Sequence, residues 1–210
     1  MGELTIVDLH AIRKTTTPVS HRRRSPRPWQ RFTQATRLLA DRAFHQRRFD
    51  DAQRRLRSVV PDQVLIVCYG NLCRSPYLQG RLRQCIPDVE ISSCGFAGND
   101  SFSPPIVIEL SAQRGVDLSR HRSRPVTQTQ LRAADLVVVM EPDHVRTLAS
   151  RFHVKRNRIL VVGDHDPRRD LGRGIEDPIN QSIPAINRTL DRLDRCADTL
   201  ARIIRQAKEA

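Results

Sequence analysis

Cys68 and Arg74 stand six residues apart in Val67-Cys68-Tyr69-Gly70-Asn71-Leu72-Cys73-Arg74-Ser75-Pro76, and their side chains suit attack on a tetrahedral oxyanion. A thiolate is a strong nucleophile, and an arginine fork grips a phosphate-like group through two parallel hydrogen bonds. The apolar run Val64-Leu65-Ile66-Val67 stops at the cysteine, a short loop with glycine and asparagine follows, and Ser75-Pro76 opens what reads as a helix. Strand, tight loop and helix N-terminus together make an anion cradle, because loop N–H groups and the helix dipole converge on one point. The same positive field favours the thiolate form of Cys68. The bland reading of such a cysteine is a small buried hydrophobe at a strand end. The whole string, rather than the spacing alone, carries the chemistry.

The elements that must position this loop alternate between strand and helix. Tyr77 to Cys85 has a helical pattern, Val89-Glu90-Ile91-Ser92-Ser93 reads as a strand, and residues 94–104 are rich in turn formers. A helix is expected over 105–115, stopped by Gly115. Leu136 to Met140 is an uninterrupted apolar run, as in a strand buried on both faces. A helix over 141–151, a strand over 158–162, a long polar loop over 163–182 and a helix from Ile183 to about Ala207 complete the pattern. Loops of that length inside a compact domain are commonly functional. The alternation predicts the α/β class: a three-layer αβα sandwich with a four-stranded parallel sheet and right-handed crossovers. Ligands of such sheets sit beyond the C-terminal ends of the strands, and Cys68 falls there.

Charge divides the chain. Of its net +13, most belongs to residues 1–60, which carry 14 Lys and Arg against 5 Asp and Glu. We therefore expect two units, a basic N-terminal extension over 1–61 and a catalytic domain over 62–210. Within the extension, prolines and repelling arginines over 10–30 predict a flexible segment. Phe32, Ala35, Leu39, Ala43, Phe44 and Leu56 then predict one or two amphipathic helices before Pro61. No run approaches the ~20 apolar residues of a transmembrane span, and the N-terminus lacks the apolar core of a secretory signal. Met1-Gly2 is not a myristoylation start, since Ile6 stands where Ser or Thr is needed. The five cysteines show no metal-ligand spacing, so no metal is expected, and their odd count predicts a reducing, cytoplasmic setting.

The string from Val67 to Pro76 resembles the phosphate-binding loop of the low-molecular-weight protein tyrosine phosphatases, V-C-x-G-N-x-C-R-S-P, without a gap. The resemblance extends over residues 62–207 through Ser93-Cys94-Gly95, Gly115 to His121, Ser123-Arg124 and Asp135 to Glu141. It implies a phosphatase with no cofactor that hydrolyses phosphotyrosine, or related phosphomonoesters, on proteins through a cysteinyl-phosphate. Cys68 is the implied nucleophile. The N–H groups of Tyr69, Gly70, Asn71, Leu72, Cys73 and Arg74 are the implied phosphate ligands, with the Arg74 side chain as clamp. Phenolate leaves poorly unless protonated, so the chemistry needs an acid. Two Asp-Pro pairs, Asp166-Pro167 and Asp177-Pro178, read by themselves as turn formers. The resemblance selects Asp177 as acid and leaves Asp166 a turn. It also implies a supporting network of Asn71, Ser75, Ser93 and His121, with Asn71 in a left-handed backbone that asparagine tolerates. Ser75 is close enough in sequence to donate to the Cys68 sulfur.

One departure concerns the substrate wall. An aromatic residue usually follows Asp-Pro in this family, and Ile179 stands there instead. Tyr69, beside the nucleophile, is expected to offer an aromatic face in its place, with Phe96 or Phe102 as a further wall. The implied partner is a tyrosine-phosphorylated protein, with a bacterial tyrosine kinase of exopolysaccharide export among the candidates, and the basic extension suits an acidic partner or surface. Two other readings stand beside the phosphatase. An arsenate reductase shares the loop, yet a thioredoxin-linked one needs two further closely spaced cysteines, and none occurs between Cys94 and Cys196. A non-catalytic module binding phosphoprotein or nucleic acid would not need Cys68, Arg74 and Asp177 together.

Overall fold

Val64, Ile66 and Cys68 face one side of the central strand and Leu65 and Val67 the other, so a single buried strand serves two cores. The computed structural model describes residues 44–168 and 172–209. The flexible segment expected over 10–30, and the first part of the helical pattern after it, lie outside the described residues.

The sheet has four parallel strands in the order β2-β1-β3-β4: β1 (Gln63–Cys68), β2 (Glu90–Gly95), β3 (Leu136–Val139) and β4 (Ile159–Val161). Six helices accompany them among the described residues: α1 (His45–Val59), α2 (Arg74–Cys85), α3 (Pro105–Ala112), α4 (Gln128–Ala133), α5 (Pro142–Arg151) and α6 (Ile183–Lys208). Two short 3-10 turns, Arg156–Arg158 and Val162–His165, flank β4. On the Ile66 face the core takes Leu56 from α1, Tyr77, Leu78 and Leu82 from α2, Val107 and Leu110 from α3, and a long stripe from α6. That stripe includes Ile186, Leu190, Leu193, Leu200 and Ile204, each nearly inaccessible. At about 1.5–3 kcal/mol for each buried aliphatic side chain, α6 is the main support of this layer. Leu131 of α4 and Leu148 of α5 close the other face over Val67 and Val139. The described residues form a three-layer αβα sandwich.

Three local differences from the sequence expectation have physical causes. The helix after the loop begins at Arg74 rather than beyond Pro76, because a proline in the first turn lacks only an N–H that has no helical partner there. The six-residue α4 was not expected, since Leu131 is its only buried residue; its start is fixed by a capping box between Thr127 and Gln130. Asp166, read as a turn former, is fully buried and paired with Arg192 and Arg195, so it serves as an anchor. No helix among the described residues is long and apolar enough to cross a membrane.

Candidate active site

The loop between β1 and α2 sits at the C-terminal edge of the sheet, as the strand order requires of a ligand site. Cys68 is the last residue of β1, and its Sγ accepts a hydrogen bond from the Asn71 backbone N–H at 3.1 Å. Ser75 Oγ lies 3.0 Å from the same sulfur. Because that hydroxyl accepts from Asn71 Nδ2 at 2.9 Å, its own proton is available to Cys68, which is nearer than the Cys94 carbonyl at 3.4 Å.

Asn71 organises the loop. It is fully buried with φ of 53°, the left-handed region that asparagine enters more readily than most residues. Its Nδ2 also donates to Ser93 Oγ at 2.9 Å, its Oδ1 accepts from the Arg124 N–H at 2.9 Å, and its carbonyl accepts from His121 Nε2 at 2.8 Å. The carbonyl can only accept, so Nε2 is the donor, and burial holds the His121 imidazole below its usual range. Asn71, Ser75, Ser93 and His121 are thus brought together. Gln79, which accepts from Ser93 Oγ at 2.6 Å, and the Arg124 backbone belong to the same network and were not anticipated. A glutamine one turn into the helix, on the buried side facing Ser93, was the available signal.

The loop rests on Gly95. A Cβ there would lie 2.7 Å from both the Asn71 nitrogen and the Tyr69 oxygen, so only glycine lets the two backbones approach. Phe96 N–H and Ala97 N–H tie this floor to the Cys68 and Tyr69 carbonyls at 3.2 and 2.8 Å.

Arg74 is buried at the first residue of α2, and its fork reaches two carboxylates. Nη1 donates to Glu141 Oε1 at 2.7 Å and to the Ile175 carbonyl at 3.0 Å, and Nη2 donates to Asp177 Oδ2 at 2.6 Å. Nε, buried, has no hydrogen-bond partner among the described residues. Glu141 is a further residue that went unassigned, although its position directly after a fully buried strand put it at the same sheet edge as Cys68. His144, one turn on, has its Nε2 3.9 Å from Glu141, and burial holds its imidazole below the usual range against the opposing pull of that carboxylate.

Around the mouth, Tyr69 is 61% exposed and Ile179 is half-buried against the main core. Phe96, partly buried, packs against the second core with its ring 5.2 Å from that of His144, and the exposed Phe102 ring carries the Arg122 guanidinium 3.9 Å from its centre. Cys73 caps α2 and is buried; burial, then the proximity of Cys68 and Asp177, pushes its thiol far above the usual range. Cys94 is pushed up to about 12 by burial as the leading cause.

A geometry of sulfur, loop amides, buried arginine and facing aspartate is accompanied by a sequence match. The family described as "Low molecular weight phosphotyrosine protein phosphatase" matches residues 63–210. The chain belongs to this phosphatase family. It is 31% identical over 136 residues to the "Probable low molecular weight protein-tyrosine-phosphatase EpsP" of Ralstonia nicotianae, covering 64% of this chain and 90% of that relative. The fold is similar to the tyrosine phosphatase Wzb from Escherichia coli K30 in complex with sulphate, with a TM-score of 0.61, 27% identity, and coverage of 71% and 98% of the two chains. It is also similar to the YwlE arginine phosphatase from Geobacillus stearothermophilus, with a TM-score of 0.64, 25% identity, and coverage of 71% and 96%. The phosphatase match starts with β1, so α1 precedes it.

Proposed function

We propose that this protein is a cysteine-dependent phosphatase that hydrolyses phosphotyrosine on proteins, with residues 62–210 as catalytic domain. The observation that carries the reading is the set of contacts at Cys68: two donors on one sulfur, at 3.1 and 3.0 Å, in a loop whose far end holds the buried Arg74. The N–H groups of residues 69–74 and the Arg74 fork hold the equatorial phosphate oxygens. Cys68 Sγ attacks phosphorus in line with the leaving oxygen; the S–P bond forms as the P–O bond to tyrosine breaks, and Asp177 gives its proton to the departing phenolate. Water then attacks the cysteinyl-phosphate, passing a proton to the Asp177 carboxylate. The S–P bond breaks, releasing inorganic phosphate, and Ser75 donates to the returning thiolate. Positioning and matched charge supply most of the acceleration, as in phosphoryl transfer generally.

Tyr69 favours an aryl substrate, because its exposed ring beside the nucleophile offers a stacking face that Ile179 does not. The proposed partner is a tyrosine-phosphorylated protein, a bacterial tyrosine kinase being the candidate that the family resemblance implies, and the basic residues before α1 suit an acidic partner. The five cysteines, all free, fit a reducing compartment, and the cytoplasm is the proposed location. An arsenate-reductase relay is disfavoured, because the cysteines after the loop are Cys85, Cys94 and Cys196, and none lies between Cys94 and Cys196 to form the closely spaced downstream pair.

Steady-state hydrolysis of an aryl phosphate tests the assignment. Cys68→Ser is expected to abolish turnover, and Asp177→Ala to lower kcat/KM by about 10²–10³-fold. Full turnover by the serine variant would remove Cys68 from the mechanism.

A further inference from the structure

We propose that α1, which precedes the family match, is a brace that positions the Asp177 loop from behind, acting through His45, Leu56, Asp166 and Arg192. The inference rests on the assignment of Asp177 as acid.

The brace is a continuous set of contacts. Leu56 is fully buried in the main core, and α1 packs against α6 and the turn Val162–His165. From the start of α1, His45 Nε2 donates to the Asp166 carbonyl at 3.1 Å. The Asp166 carboxylate, with no exposure, accepts from Arg192 Nε at 3.0 Å and from Arg195 Nε and Nη2 at 3.0 and 3.1 Å. Arg192 then spends its remaining donors on the backbone that leads to the acid, Nη1 on the Gly174 carbonyl at 2.7 Å and Nη2 on the Gly172 carbonyl. Ile175 follows, held by the Met140 carbonyl on one side at 2.9 Å and by Arg74 on the other. A parallel tie runs through Asp164, which meets Arg48 of α1 at 3.7 Å and Arg173 of the loop at 2.8 Å.

This arrangement matters because polar ties, more than apolar burial, hold the described part of the loop. Ile175 is its one fully buried apolar side chain among the described residues of 166–177. A buried carboxylate is stable only while its partners stay in place, so Asp166 and the two arginines move together or not at all. An acid displaced by ~1 Å loses about 10²-fold of its effect, so support remote from the chemistry reaches the rate.

A brace acting through the acid is distinguishable from a merely structural helix by its dependence on the leaving group. Phenyl phosphate releases an alkoxide-like phenolate, with a parent pKa of about 10, that needs a proton, whereas 2,4-dinitrophenyl phosphate releases one that does not. In the full-length chain, His45→Ala with Leu56→Ala is expected to lower kcat/KM about tenfold for phenyl phosphate and less than about twofold for the dinitrophenyl ester. His45→Ala alone, which leaves the core intact, is expected to show the same selectivity at about threefold. In an Asp177→Asn background neither change is expected to lower the rate further. Equal loss on both esters, no loss, or a loss that persists beside Asp177→Asn overturns the brace. If Asp177→Asn itself affects both esters alike, the acid assignment falls and the brace with it; if it is selective and the α1 variants are not, the brace alone falls.

Discussion

Arg74 Nη2 donates to Asp177 Oδ2 at 2.6 Å, joining the first residue of α2 to a loop 103 residues further along the chain. With Nη1 on Glu141 at 2.7 Å, the Arg74 fork is held by two carboxylates. In the mechanism we propose, phosphate competes for that fork and, in taking it, leaves Asp177 beside the leaving oxygen. Both carboxylates are about 40% exposed, so solvent weakens these pairs.

Arg74→Lys keeps the charge but replaces a planar fork by a point donor. We expect kcat/KM for an aryl phosphate to fall by about 10²–10³-fold and inhibition by inorganic phosphate to weaken, both read by steady-state kinetics. Near-normal values for both would show that the fork geometry is not used.

Gly95→Ala places a methyl group 2.7 Å from the Asn71 nitrogen and the Tyr69 oxygen. The loop backbone must move, at a cost of about 1–3 kcal/mol. The expected outcome is a folded protein, by circular dichroism, whose kcat/KM falls at least about 100-fold, since the amides no longer converge.

His165 is fully buried with neither ring nitrogen partnered among the described residues, and burial brings its pKa down to about 4 against a weaker opposing pull from Asp164. The unfolded chain therefore takes up this proton at higher pH than the folded chain does. Stability from this group is complete above about pH 6.5 and falls as the pH drops toward 4. Urea unfolding is expected to show about 2 kcal/mol less loss between pH 7 and pH 5 for His165→Leu than for the parent. An identical pH profile for both would contradict a neutral buried imidazole.

Tyr69→Ala removes the exposed aromatic face beside Cys68. The stacking lost is worth about 0.5–1.5 kcal/mol, so kcat/KM is expected to fall about 2–10-fold for phosphotyrosine peptides and to change little for an alkyl phosphate. An equal effect on both would assign Tyr69 to loop structure.

What could be read from the residues follows from where the physical signals are local. The apolar runs at 64–67 and 136–139 announce buried strands because they are short and rich in β-branched residues, and the loop at 68–74 is one contiguous string. Asn71, Ser75, Ser93 and His121 were legible only through the family pattern, since their contacts join segments 22 and 50 residues apart. Glu141, Gln79 and Gly95 were present as letters without roles, because a carboxylate facing a distant arginine or a Cβ-free approach of two backbones leaves no periodic trace. Asp166 misled for the opposite reason: its local signal, an Asp-Pro pair, is that of a turn, and the arginines that bury it lie on α6. The short α4 carried only its capping box.

The account depends most on covalent chemistry at Cys68. During turnover of an aryl phosphate, a rapid alkaline denaturing quench followed by peptide mass analysis measures which residue carries phosphate. The account predicts phosphate on the peptide containing Cys68, on Sγ, and its absence from that peptide in unreacted enzyme. Phosphate on another residue, or full turnover with none on Cys68 and undiminished activity in Cys68→Ser, would contradict it.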